Sequence, residues 1–134
     1  MDRKKYLVIF KTAFYTWLFL ILIISIYPGN LIGLIFSGDS TRYPGGEKTN
    51  NFFELFSHVM TYFVLSFLAY FSFDFKKNVN RKIIFLSIFS ILMEIVHIFI
   101  PDRSYENYDL FMNLLGINLG LFVYYLKSFF LKNI

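Results

Sequence analysis

The chain has 134 residues, of which 57% are hydrophobic, 22% aromatic and only 16% charged, and its apolar residues are gathered in long blocks, a pattern that excludes an ordinary soluble core. The net charge of +4 does not point to nucleic acid, because the cations stand in short clusters beside apolar segments and none forms a face long enough to follow phosphates. The absence of cysteine excludes disulfides, thiolate metal sites and cysteine nucleophiles.

At about 20 residues per crossing, this length accommodates an all-α integral membrane bundle of four transmembrane helices, a single domain over 1 to 134 with no room for a separate soluble unit. The first span, 6 to 27, carries Trp17 and a Leu/Ile run, and ends at Tyr27, Pro28 and Gly29. It is too long for the apolar core of a signal peptide and no small-residue cleavage site follows, so it reads as an uncleaved anchor, with Lys11 snorkelling to the interface. The connection 28 to 51 is the longest. Its apolar piece, 31 to 36, is too short to cross and lies in the interface or dips back; the rest, SGDSTRYPGGEKTNN, is a solvated connector.

The second span, 52 to 73, carries Glu54 and His58 four apart near its start, on one helix face. After the turn DFKKNVNRK, the third span runs from 83 to 100 and is stopped by Pro101, which disfavours helical geometry at Ile100. Near its end Glu94 and His97 are three apart and share a face. The fourth span, 109 to 126, is capped by Asn107 or Asp109. Along it Asp109, Asn113, Gly116 and Gly120 follow at spacings of 4, 3 and 4, which places them on one stripe. The two glycines read as a small-residue packing surface for another helix.

Charge orients the bundle. Arg3, Lys4, Lys5, Lys11, Lys76, Lys77, Arg81, Lys82, Lys127 and Lys132 fall on one side of a four-span topology, ten cations against Arg42, Lys48 and Arg103 on the other. The positive-inside rule puts both termini in the cytoplasm. Glu54, His58, Glu94, His97, Arg103, Asp109 and Asn113 then fall within roughly 10 Å of the outer boundary, at 1.5 Å of rise per residue. Ionisable groups so near lipid are costly, and each is a candidate functional residue.

Each candidate also has a plainer reading. Glu54 and His58 are either a carboxylate orienting an imidazole or an interfacial pair at a helix end. Glu94, inside a span, needs a nearby cation to stay ionised. Arg103 can fork onto a carboxylate or an anionic headgroup, and the reading expects Glu94, Arg103 and Asp109 to form one electrostatic unit. Asp109 is also explained by the helix dipole, whereas Asn113, one turn deeper, is not. Two Glu, two His and an Asp in one layer invite a metal, but there is only one Glu-x-x-His and Arg103 opposes a cation, so neither a metal nor another cofactor is expected. The absence of G-x-S-x-G, H-E-x-x-H and P-loop motifs leaves standard hydrolase, metalloprotease and NTPase readings unsupported.

Over about residues 52 to 124 this arrangement resembles the VanZ-like family of small bacterial membrane proteins, named for a member associated with teicoplanin resistance. The resemblance rests on Glu54 and His58 in ELFSHVMTYFVLSFL, then Glu94, His97, Pro101, Arg103, Asp109, Asn113, Gly116 and Gly120 in order and spacing. It departs from the family pattern at Leu55, where a Lys is usual, and at His97, where Gln is common. The resemblance implies a multi-pass protein of the bacterial cytoplasmic membrane with an extracytoplasmic polar site and a link to glycopeptide susceptibility.

The leading expectation is a binding protein, with the lipid bilayer around it, whose outer-leaflet site takes an envelope lipid, a cell-wall intermediate or a lipoglycopeptide through Glu54, His58, Glu94, His97, Arg103, Asp109 and Asn113. The rival is an intramembrane enzyme acting on such a lipid or intermediate, with His58, Glu94 or His97 in acid–base roles. A transporter subunit is the third reading, and one four-helix protomer serves it only as a homo-oligomer.

Overall fold

The computed structural model describes residues 3–28, 34, 35, 38, 51–73, 79–101, 103 and 105–132. The described chain is all-helical: α1 (Arg3–Ile26), α2 (Asn51–Ser72), α3 (Val79–Val96) and α4 (Asn107–Lys132), with no strand among the described residues. All four helices are long and apolar enough to cross a membrane, as the apolar blocks predict. Arg42, Lys48, Lys76, Lys77 and most of the 31 to 36 piece lie outside the described residues; Leu34 and Ile35 of that piece are helical and exposed.

The third helix does not run regularly to the proline. It tightens into one 3-10 turn at His97–Phe99, and Ile100 then turns extended, with φ −103° and ψ 127°. The ring of Pro101 crowds the residue before it out of helical geometry, and the Ile100 N–H closes the turn on the His97 carbonyl at 3.3 Å.

The burial pattern is inverted relative to a protein in water. Val8, Phe19, Phe85 and Phe122 are 63%, 61%, 54% and 58% exposed, while Ser66, Ser90, Glu94 and Asn113 are 0–1% exposed. Lipid tails solvate the outer apolar side chains, and polar groups are forced inward to find one another.

At the centre of the bundle α4 crosses α2 closely enough that a methyl group does not fit between them. A Cβ added at Gly116 would meet the Val59 backbone oxygen and stand 2.9 Å from the Phe63 nitrogen; one at Gly120 would meet Ser66 Oγ and stand 3.0 Å from the Phe67 nitrogen. Ile117, 1% exposed, fills the space beside them. Ser66 donates its hydroxyl to the Phe63 carbonyl at 3.0 Å, with the Gly116 carbonyl of the facing helix at 3.4 Å.

The other two helices flank this pair. Trp17 on α1 donates its indole N–H to the Thr61 carbonyl on α2 at 3.0 Å, and the Phe10 ring leans on Phe71 with centroids 5.7 Å apart. The α3 helix lies chiefly along α4 and brings Leu86 and Met93 into the shared core with Phe14, Ile21, Tyr62, Leu65 and Ile117. At the end where α2 stops, cations from three helices gather over its last aromatics: Lys127 lies 4.1 Å from the Phe71 ring, and Lys11 and Lys82 lie 5.7 and 5.9 Å from the Phe73 ring.

The two glycines differ in what a side chain would strike, and this sets an order of sensitivity. Gly116→Ala pushes against a backbone carbonyl that cannot rotate away, whereas Gly120→Ala first meets a serine hydroxyl that can. Gly116→Ala is expected to lose about 1–3 kcal/mol, the usual range for overpacking, and Gly120→Ala less. Thermal unfolding of the detergent-purified variants measures the order; equal stability of Gly116→Ala and the unsubstituted protein would contradict the close crossing.

Candidate functional site

The opposite end of the bundle holds the polar groups. It is built where α2 and α4 begin and α3 ends, so three helix termini deliver short polar side chains to one place. His58 lies two turns into α2, Glu94 in the last turn of α3, and Asp109 and Asn113 in the first two turns of α4. Asn113 lies one turn before Gly116, so the close crossing of α2 and α4 carries it up to His58.

Two of the contacts cross between helices. His58 Nδ1 lies 2.9 Å from Asn113 Oδ1, and His58 Nε2 lies 3.4 Å from Asp109 Oδ2. Both imidazole nitrogens therefore face side chains of α4. Asp109 and Asn113 are 5% and 1% exposed, and the His58 side chain keeps 21%.

Glu94 is held from the other side. Its Oε1 accepts the Glu106 backbone N–H at 3.1 Å and lies 3.5 Å from His97 Nδ1. The first bond ties the end of α3 to the start of α4, because the Glu106 carbonyl accepts the Leu110 N–H in α4's first turn. Neither expected cap of α4 serves as one. Asn107 Oδ1 accepts the Tyr105 hydroxyl at 2.9 Å, and the Asp109 carboxylate turns inward to His58, a buried partner that competes successfully with a solvent-exposed backbone N–H.

Arg103 serves chiefly as a staple. It donates Nη2–H to the Ile24 carbonyl at 2.9 Å and Nε–H to the Tyr27 carbonyl at 3.3 Å, both at the end of α1. These carbonyls have no further turn of helix to bond to, and a cation suits the negative end of the dipole. Its Nη1 also reaches His97 Nε2 at 3.5 Å. A guanidinium only donates, so this contact suits the His97 tautomer with its hydrogen on Nδ1, facing Glu94.

The expected unit of Glu94, Arg103 and Asp109 thus takes a different form. Among the described residues Arg103 is linked to Glu94 through His97, while Asp109 is linked to His58. The reason is supply and demand at helix ends: α1 offers unpaired carbonyls within the guanidinium's reach, and His97 stands between it and the carboxylate.

The structure brings six of the sequence candidates to one end of the bundle in two adjacent sets: His58 with Asp109 and Asn113, and Glu94 with His97 and Arg103. Glu54 stays apart: it is exposed on α2, one turn before His58, and its backbone carbonyl accepts the Ser57 hydroxyl at 2.7 Å. Gly116 and Gly120 lie below the network as the contact that positions it. One grouping escapes a reading by helix face: His58, Glu94 and Asp109 offer one ligand atom each within 4.8 Å of one another, from three different helices. Their common end of the bundle was the available signal, but pairing by sequence spacing joins Glu94 to His97 and His58 to Glu54.

No family model, no curated protein and no solved structure matches this chain.

The Arg103 staple makes a graded prediction. Arg103→Ala removes two charge-assisted bonds to α1, each worth about 1.5–3 kcal/mol before solvent screening, and is expected to lower the melting temperature clearly. Arg103→Lys should recover only part, because one ammonium cannot span the Ile24 and Tyr27 carbonyls with the same fork. Melting of both variants beside Lys4→Ala, an exposed cation at the other end of α1, checks it; equal melting in all three would mean that the staple carries no stability.

Proposed function

We propose that this chain is a multi-pass protein of the bacterial cytoplasmic membrane, related to the VanZ-like family, whose buried polar network at the extracytoplasmic end binds the polar head of an envelope amphiphile such as a lipid-linked cell-wall intermediate or a lipoglycopeptide. The observation that carries this reading is the convergence of His58, Glu94, Asp109 and Asn113, from three helices, inside an otherwise apolar bundle. Groups with this desolvation cost are retained in membrane helices where they meet a polar ligand, an ion or one another.

The orientation is part of the proposal. Lys11, Lys82 and Lys127 gather at the end opposite the network, where they favour the cytoplasmic face and its anionic lipids. The polar network then faces outward, where cell-wall intermediates and glycopeptides are found. Reporter fusions at residues 1 and 134 are expected to show both termini inside; an external C-terminus would refute the assignment.

A second reading, an intramembrane enzyme working on the same class of amphiphile, is favoured by one specific contact. His58 is held between Asp109 and Asn113, an arrangement that orients an imidazole for proton transfer. Turnover of a bound lipid separates the two readings, since a binding protein returns its ligand unchanged.

Mass spectrometry of amphiphiles that co-purify with the detergent-extracted protein is the direct test. An envelope lipid is expected with the unsubstituted chain and greatly reduced with Asn113→Ala. In cells lacking the native copy, the same variant should lose any protection against teicoplanin relative to vancomycin while keeping its protein level. The same lipid profile in Asn113→Ala and the unsubstituted chain would remove the network as the binding site.

A further inference from the structure

The network has a deficit of positive charge at its centre. Glu94 is 1% exposed, and its contacts among the described residues, the Glu106 N–H and His97, both fall on Oε1. Asp109 is 5% exposed, and its contact among the described residues falls on Oδ2. Burying two carboxylates beside one another is costly, and here both stand close to one imidazole.

The imidazole is set to bond something other than protein. In the neutral tautomer in which Asn113 Oδ1 accepts from Nδ1–H, Nε2 carries a lone pair that faces Asp109 Oδ2 at 3.4 Å, so two acceptors confront each other. For ligand bonds of about 2.1 Å, two neighbouring donor atoms around a tetrahedral ion stand about 3.4 Å apart, the spacing seen here.

We infer that His58 Nε2, Asp109 and Glu94 form a binding site for one divalent transition-metal ion of the zinc or manganese kind. One imidazole and two carboxylates suit such ions better than a soft, thiolate-seeking one. The three ligand atoms lie within 4.8 Å of one another, so binding draws them inward by about 1 Å, which small side-chain rotations supply.

The outer contacts have the form that metal sites use. Asn113 holds the ring nitrogen of His58 that is turned away from the ion, and the Glu106 N–H and His97 hold Glu94 by one oxygen while leaving the other to bind. Arg103, whose charge would oppose a cation, directs its guanidinium to the Ile24 and Tyr27 carbonyls and to His97 instead.

The ion also resolves a difficulty of the binding reading, on which this last step rests: two carboxylates repel the phosphate of an envelope amphiphile, whereas a three-ligand ion with an open position attracts it.

The test uses the full chain, purified without a histidine tag, stripped with chelator, loaded with ZnCl2 or MnCl2, desalted and assayed for metal by mass spectrometry. About one ion per chain is expected in the unsubstituted protein, none in Asp109→Asn or Glu94→Gln, and affinity weakened roughly 10–100-fold in Asn113→Ala. The loaded protein should melt at a higher temperature than the stripped one. If the carboxylate variants do not fold, the stoichiometry of the unsubstituted chain decides alone. No ion in the unsubstituted chain, or equal loading in the variants, overturns the site. Lipid co-purification that survives chelation would remove only the phosphate step and leave the metal site standing.

Discussion

The close crossing of α2 and α4 at Gly116 and Gly120 is the constraint on which the rest of the structure depends. With no Cβ between them, the two backbones approach until the Val59 carbonyl and the Phe63 nitrogen occupy the space a side chain would need. That distance sets the reach of everything one turn away. Asn113 and His58 can bond at 2.9 Å because the helices carrying them are already in contact below. A wider crossing would leave the imidazole and the amide facing each other across a gap that lipid cannot fill with a hydrogen bond.

Membrane surroundings change which forces decide the packing. Lipid tails solvate leucine and phenylalanine as well as another helix does, so apolar area alone does not select the arrangement of the four helices. Specific contacts do so instead: the glycine crossing, the Trp17 bond to the Thr61 carbonyl, the Glu94 bond to the Glu106 N–H, and the Arg103 fork onto the end of α1. Three of these four are side chain to backbone. Two of these use main-chain groups that helix ends leave accessible, whereas the Thr61 carbonyl lies within α2.

Arg103 ties the end of α1 to the polar end of the bundle. The guanidinium fastens α1 to the loop after α3, and the same group reaches His97, which faces Glu94. Contacts thus run from the end of α1 through Arg103 and His97 to the buried Glu94 carboxylate. Glu54, which sequence spacing pairs with His58, is exposed on α2 and makes no side-chain hydrogen bond or ion pair with these groups among the described residues.

The sequence by itself determined the four membrane-length helices, the extended residue before Pro101, and the stripe of Asp109, Asn113, Gly116 and Gly120 that is buried along α4, because these follow from composition, ring sterics and the helical repeat, which act over a few residues of one chain. It also indicated which end of the bundle would hold the ionisable groups. Only the tertiary structure decided their partners. His58 lies against Asp109 and Asn113 and not against Glu54, Glu94 binds the Glu106 N–H, and Arg103 turns to the carbonyls of Ile24 and Tyr27. Pairs at i, i+3 and i+4 can be read from spacing, but a partner on another helix depends on the rotation and separation of two rigid rods, and those were set by where two glycines allowed backbones to touch.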